Sequence, residues 1–271
     1  MDRVAQLIRD SSIELSPRDE FAGEALRGQV EPGTTVFVNY PSSVSHHDIV
    51  AACARLQRAG FAPVPHVAAR RLASFTQASD FLLRAVHEAG VERILLIGGD
   101  DSPIGPFRSS LDLLATGVVE RSGVGAVSFG GYPEGHPAID TATLDAALQA
   151  KVSLARRAGL VVSVVTQFGF EAEPIARWIE TRAEHCPVHV GIAGPASVAT
   201  LAKFAIRCGI GTSLRALARG HTAFARVLVE AAPDELVRQL VASGAPIAGL
   251  HLYTFGGVRR AAEWIRRGAS G

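Results

Sequence analysis

Cysteine is scarce: Cys53, Cys186 and Cys208 are three in 271 residues, and they form neither a CxxC pair nor an even framework. A disulfide-stapled scaffold is excluded, and free thiols in a reducing cytoplasm are the expectation. Long apolar runs are missing as well. The longer uncharged stretches, such as AGLVVSVVTQFGF, end at about 13 residues, short of the ~20 that span a bilayer, so no membrane partner is expected. Neither sign of charge dominates. The 27 Lys and Arg against 26 Asp and Glu leave a net charge of +1, which gives no electrostatic reason to bind nucleic acid. The N-terminal MDRVAQLIRDSS lacks the apolar core of an export signal. Glycine is absent from SIELSPRDEF, which removes the GxGxxG signature expected after the first strand of a doubly wound dinucleotide fold.

What is present is 48% apolar residues in a chain close in length to the ~250 residues of a closed eight-fold barrel. Eight short β-rich runs recur: SSIELS from Ser11, TTVFVNY from Thr34, APVPHV from Ala62, ERILLIGG from Glu92, VGAVSFGG from Val124, LVVSVVTQF from Leu160, PVHVGIAG from Pro187 and PIAGLHLYT from Pro246. Between them lie stretches with apolar residues at i, i+3 and i+4, such as VSHHDIVAACARLQRAG and SDFLLRAVHEAG. Gly60, Gly90 and Gly159 stand where a helix wants a left-handed residue just past its end. This alternation predicts a parallel sheet with right-handed crossovers. Eight units predict one α/β domain over residues 1–271, a single (β/α)8 TIM barrel, with residues 211–245 as the longest insertion and an extra helix before strand eight.

Such barrels carry their active sites at the carboxyl ends of the strands, so polar residues closing apolar strands are the candidates. Read in order they are Glu14, Asn39 and Tyr40, His66, Asp100 and Asp101, Thr166 and Gln167, then His251 and Tyr253. Glu14 sits between Ile13 and Leu15, where desolvation raises a carboxyl pKa and suits it to deliver a proton; the alternative is a strand-end carboxylate held by a neighbouring backbone group or Arg. Asp100 and Asp101 read as a metal pair or as the N-cap of the next helix. No metal is expected, because His46 and His47 are adjacent on a helix and no His or Cys cluster completes a site.

The segment GGYPEGHPAID after the fifth strand is neither helix nor sheet, crowded with proline and glycine around Tyr132 and His136. With it, IELSP, PH in APVPHV, GGD, TQFGF and HLYT fall in chain order, and together they resemble the methylenetetrahydrofolate reductases over nearly the full length. The resemblance implies FAD as cofactor, NADH or NADPH as hydride donor, and 5,10-methylenetetrahydrofolate as substrate. It implies flavin contacts at Asn39, His66, Gly99, Asp100, Tyr132, His136, Asp145 and Lys151. It further implies Glu14 as proton donor, Asp100 as a negative charge beside a cationic folate intermediate, Gln167 as a pterin contact, and Phe204 packed against folate or nicotinamide. Three departures stand out: Gly98 where Arg is usual, Ala150 beside Lys151 where a second base is usual, and YTFGG in place of Tyr-Thr-Leu-Asn-Arg. The first two remove cations from the cofactor phosphates, which Arg156 or Arg157 is placed to restore. The expected activity is FAD-mediated reduction, or its reverse in one-carbon catabolism. The alternatives are direct hydride transfer from nicotinamide without flavin and a non-catalytic folate-binding subunit. Apolar outer helices permit self-association.

Overall fold

The computed structural model describes residues 2–19, 21–182, 186–197, 200–201, 203–204, 233–255 and 257–269. Eight strands close a barrel in chain order, each parallel to its neighbours: β1 Ser12–Leu15, β2 Thr35–Val38, β3 Ala62–Ala68, β4 Arg93–Ile97, β5 Ala126–Gly131, β6 Val161–Gly169, β7 Val188–Ala193 and β8 Gly249–Tyr253. The helices are α1 Arg3–Arg9, α2 Ala22–Leu26, α3 His46–Arg58, α4 Phe75–Ala89, α5 Ser110–Ala115, α6 Val118–Arg121, α7 Thr141–Arg157, α8 Ala172–Glu180, α9 Asp234–Ala242 and α10 Val258–Gly268. The expected barrel and all eight expected strands are there. Of the expected insertion, α9 is the helix before β8, and residues 211–232 lie outside the described residues, as does Cys208.

Local chemistry sets the element ends. Ser45 and Asp48 form a capping box that starts α3, and Ser109 and Asp112 do the same for α5. The cap of α5 is therefore Ser109, not Asp100 or Asp101. Gly60, Gly90 and Gly159 take φ values of 91°, 59° and 78°, as their helix ends require. The strands' outward side chains and the helices' inner faces form one continuous apolar core, which includes Ile94, Leu96, Phe81 and Phe129, all fully buried. Phe37, Val64, Leu95 and Val165 form a separate apolar cluster with Ile97.

The β6–β7 pairing shifts register between Val165 and Phe168. Thr166, fully buried, fills the irregularity by accepting the Gly191 N–H at 2.8 Å through Oγ1. Thr166, expected at the rim as a candidate site residue, is thus a structural one. A Cβ on Gly191 would come within 2.3 Å of the Thr166 carbonyl oxygen, a backbone atom that cannot move aside. Gly191→Ala is therefore expected to lower stability by about 1–3 kcal/mol, the usual size of an overpacking penalty, read as a fall in the thermal midpoint. An unchanged midpoint would mean that the two strands part without cost.

Candidate active site

Glu14 lies on β1 in register with Phe37 of β2 and Tyr253 of β8. Its side chain meets three others. The Oε2 atom is 3.3 Å from His66 Nε2 and 3.6 Å from His251 Nε2, and Asn39 Nδ2 donates to Oε1 at 3.5 Å. The Glu14 carbonyl accepts from the Thr254 hydroxyl at 2.8 Å. His66 and His251 are buried, and each Nε2 has no hydrogen-bond partner other than this carboxylate contact. Burial pushes the Glu14 carboxyl up, but the two imidazoles outweigh it and hold the group well below the usual carboxylate range. The expected upward shift is thus reversed, because β3 and β8 each turn an imidazole onto the carboxylate. Burial also lowers the His251 pKa, against the pull of Glu14. Ser12 Oγ donates to the Leu250 carbonyl at 3.2 Å and lies 2.9 Å from His251 Nδ1, which holds the ring with Nε2 toward Glu14.

Beside this cluster, between the β4 and β5 ends and α7, runs a cleft of about 620 Å³, within the ~300–1,000 Å³ of small-molecule sites. Gly98, Gly99 and Asp100 form one wall, Gly130, Gly131, Tyr132 and His136 another, and Asp145 and Lys151 come from α7. The YPEGHP loop is held from both sides. Within it Tyr132 and His136 meet edge to face at 5.4 Å, and Gln167 Nε2 donates to the Gly135 carbonyl at 3.1 Å. Lys151 Nζ sits 5.3 Å from the Phe129 ring, and burial alone lowers its pKa to about 8, with no carboxylate opposing. Asp100 is exposed on the cleft wall rather than in a dry site.

Past Gln167, Phe168, Phe204, Tyr253 and Phe255 gather at the ends of β6 and β8, with Phe204 and Phe255 ring centroids 4.6 Å apart. Phe255 has φ of 48°, and among the described residues it alone is non-glycine with positive φ. It falls in the YTFGG departure, and its left-handed backbone is a costly conformation for a bulky residue.

The predicted residues therefore divide in three. Gly99, Asp100, Tyr132, His136, Asp145 and Lys151 line the cleft; Asn39 and His66 instead surround Glu14; Gln167 and Phe204 lie toward the aromatic rim. Asp145 is already engaged, since both its oxygens accept from the Arg182 guanidinium at 2.5–2.6 Å. Arg156 and Arg157 do not compensate for Gly98, because they line the opposite flank of α7. Besides Lys151, three cations line the cleft that sequence reasoning missed: Arg70, Arg71 and Arg108. Arg71 stacks on Tyr40 at 4.1 Å, donates to the Ser42 and Val44 carbonyls, and meets Asp101 at 3.5 Å, so it braces the β2–α3 loop. Arg70 donates to the Gly99 and Arg108 carbonyls, which puts a guanidinium beside the glycine pair. The only sequence signal for it was a basic pair just after β3. His46 and His47 are joined by Asp80 of α4, but Arg84, itself paired with Glu88, lies against the His47 ring and brings a positive charge to that cluster.

A closed (β/α)8 barrel with a buried carboxylate–imidazole cluster beside a cation-lined cleft at the strands' carboxyl ends defines a barrel enzyme. The sequence profile of the methylenetetrahydrofolate reductase family matches residues 27–265, and the chain belongs to that family, whose members are folate-linked oxidoreductases. Glu14 and β1 precede the matched span. Among solved structures the fold is similar to tryptophan synthase from Pyrococcus furiosus, with 12% identity, a TM-score of 0.53 and 96% of each chain covered. It is also similar to a Yersinia pestis DHPS solved with a pterine-sulfa conjugate, with 13% identity, a TM-score of 0.50, and 98% of this chain and 96% of that one covered. At such identities the likeness is one of fold. No helix among the described residues is long and apolar enough to cross a membrane.

Proposed function

We propose that the chain interconverts 5,10-methylenetetrahydrofolate and 5-methyltetrahydrofolate, with FAD in the β4–β5–α7 cleft and NADH or NADPH as the hydride donor. The observation that carries this reading is Glu14 Oε2 between two buried imidazoles, on the barrel whose β4 and β5 ends open a cleft that suits a dinucleotide. The cleft residues fit FAD: Lys151 is a half-buried cation with no partner anion among the described residues, and Arg70 and Arg108 add charge for the phosphates. Glycines 98, 99, 130 and 131 keep the walls flat, and Tyr132 and His136 stand on a loop held by Gln167. Bound there, FAD would supply hydride acceptance from nicotinamide and hydride donation to the folate. The chain's own part is to orient and to move a proton. Opening the folate's methylene bridge needs one, which Glu14 Oε2, 3.3 Å from His66 Nε2, would relay. Asp100 would set its charge beside the resulting folate cation, and the rim aromatics would cover the flat parts of the substrate.

A second reading, direct transfer from nicotinamide to folate without flavin, is favoured by Gly98 and by the engagement of Arg71 and Asp145 with protein groups. Titrating FAD with the protein separates the two. Quenching of flavin fluorescence that saturates, followed by bleaching of the flavin band on adding NADH, is the expected result; turnover of the folate with no flavin bound would establish the second reading.

A further inference from the structure

Helices α3 and α4 pack side by side, and ligating groups that neither holds alone collect between them. His46 and His47 open α3, their rings 4.0 Å apart and tilted by 39°. Two adjacent imidazoles lack a third ligand in the sequence, and Asp80 of α4 supplies it: one ligating atom from each of the three side chains lies within 4.8 Å of the others. His46 is buried against Phe81, while His47 and Asp80 are exposed, so the group has one fixed inner member and two outer ones open to solvent. His46 Nε2 and Asp80 Oδ2 stand 3.4 Å apart. That is long for a hydrogen bond, which prefers ~2.7–3.2 Å, yet it matches the ~3.4 Å between two ligands of a tetrahedral zinc ion bound at ~2.1 Å. The charge that opposes a cation here is Arg84. Its Nε and Nη2 donate to the two Glu88 oxygens at 2.7 and 3.1 Å, and its Nη1 points at His47 Nδ1. A guanidinium only donates, so His47 Nδ1 offers it a lone pair, the feature that a metal also requires. Arg84 is therefore a competitor for the site, tethered to a carboxylate of its own helix.

We propose that His46, His47 and Asp80 bind one divalent transition-metal ion of the zinc class, with water as the fourth ligand, and that Arg84 swings aside toward Glu88 to admit it. Two imidazoles and a carboxylate suit zinc, which takes three protein ligands and a water readily. The ion clamps the start of α3 to α4. A helix start disfavours a cation, but Asp48, the acidic residue of the α3 capping box, sets a negative charge on that same turn. The site does not depend on the reductase reading.

Zinc titrated by calorimetry into the intact protein, free of any histidine tag, is expected to saturate at one ion per chain and to raise the thermal midpoint, as any ligand of the folded state does. His47→Ala and Asp80→Asn, both at exposed positions, should each weaken that binding about tenfold or more, since loss of even an outer partner of a metal site costs ~10–100-fold. Arg84→Gln removes the competing charge and should tighten binding severalfold. That direction separates a metal site from a polar cluster that Arg84 merely holds together. Cobalt identifies the ligands: nitrogen and oxygen donors leave the near-ultraviolet clear of the strong band that a cysteine thiolate would add. Absence of saturable binding at millimolar zinc, binding unmoved when His47 and Asp80 are both replaced, or weaker binding in Arg84→Gln overturns the proposal. So does a thiolate band, or binding lost in Glu14→Gln, which would place the ion at the Glu14–His66–His251 cluster instead. None of these outcomes depends on whether folate is turned over.

Discussion

Glu14→Gln is expected to slow the folate half-reaction by about 10²-fold or more while leaving reduction of bound flavin by nicotinamide near normal. The first half-reaction delivers no proton to folate, whereas opening the methylene bridge does, and an amide keeps size and hydrogen bonding but carries no transferable proton at neutral pH. The geometry sharpens the expectation. His66 and His251 both turn Nε2 to the same carboxylate oxygen, at 3.3 and 3.6 Å, so the charge on Glu14 is coupled to both rings. The pH profile of the folate half-reaction should then report the cluster, and His66→Gln should shift that profile as Glu14→Gln flattens it. Stopped-flow mixing of pre-reduced enzyme with methylenetetrahydrofolate, followed at the flavin band, makes the measurement. Reoxidation at the wild-type rate would remove Glu14 from the role of acid. The variant should also lose some stability. A carboxyl held below its unfolded pKa stabilises the fold above that pKa, and the contribution fades as pH falls through the folded value, so the deficit of Glu14→Gln belongs to neutral pH and vanishes in acid.

The barrel was legible because its signals are local. Alternating β-rich runs and amphipathic stretches, with glycine at the helix ends, are properties of neighbouring residues, and eight repeats of the unit leave one closed topology. The candidate residues were legible as a set, since polar groups that close apolar strands stand out against the runs they end. Their grouping was not. Whether His66 faces Glu14 or the cleft depends on the register and tilt of β3 against β1, with β2 between, and nothing local to APVPHV states it. The direction of the Glu14 shift failed for the same reason: desolvation is written in Ile13 and Leu15, but the opposing imidazoles arrive from β3 and β8. A cation does reach the glycine pair, but it is Arg70, which follows a different strand and donates to the Gly99 carbonyl. Arg156 and Arg157 looked suitable on a linear count, yet the helical turn of α7 carries them to its other flank.

Lys151 sets stability against binding at one residue. Burial lowers its pKa from 10.5 to about 8, so the folded protein bears the cost of a desolvated ammonium at neutral pH, a penalty complete below pH 8 and relieved as pH rises toward the unfolded value. Replacing it with methionine, of similar length and no charge, should therefore stabilise the protein at pH 7 by roughly 1–3 kcal/mol, with the gain shrinking toward pH 10. The same substitution should weaken FAD about tenfold or more, because it removes a half-buried cleft cation from the phosphates. The two effects have linked pH dependences. FAD binding to the unsubstituted protein should fall as pH rises through about 8 and the ammonium is lost, whereas binding to Lys151→Met should stay level across that range. Melting curves and flavin-fluorescence titrations at a series of pH values measure both. A variant that is more stable yet binds FAD as well as its parent would leave Lys151 a half-buried cation with no part in the site, and a variant that loses stability at pH 7 would show that its contact with Phe129 outweighs its desolvation.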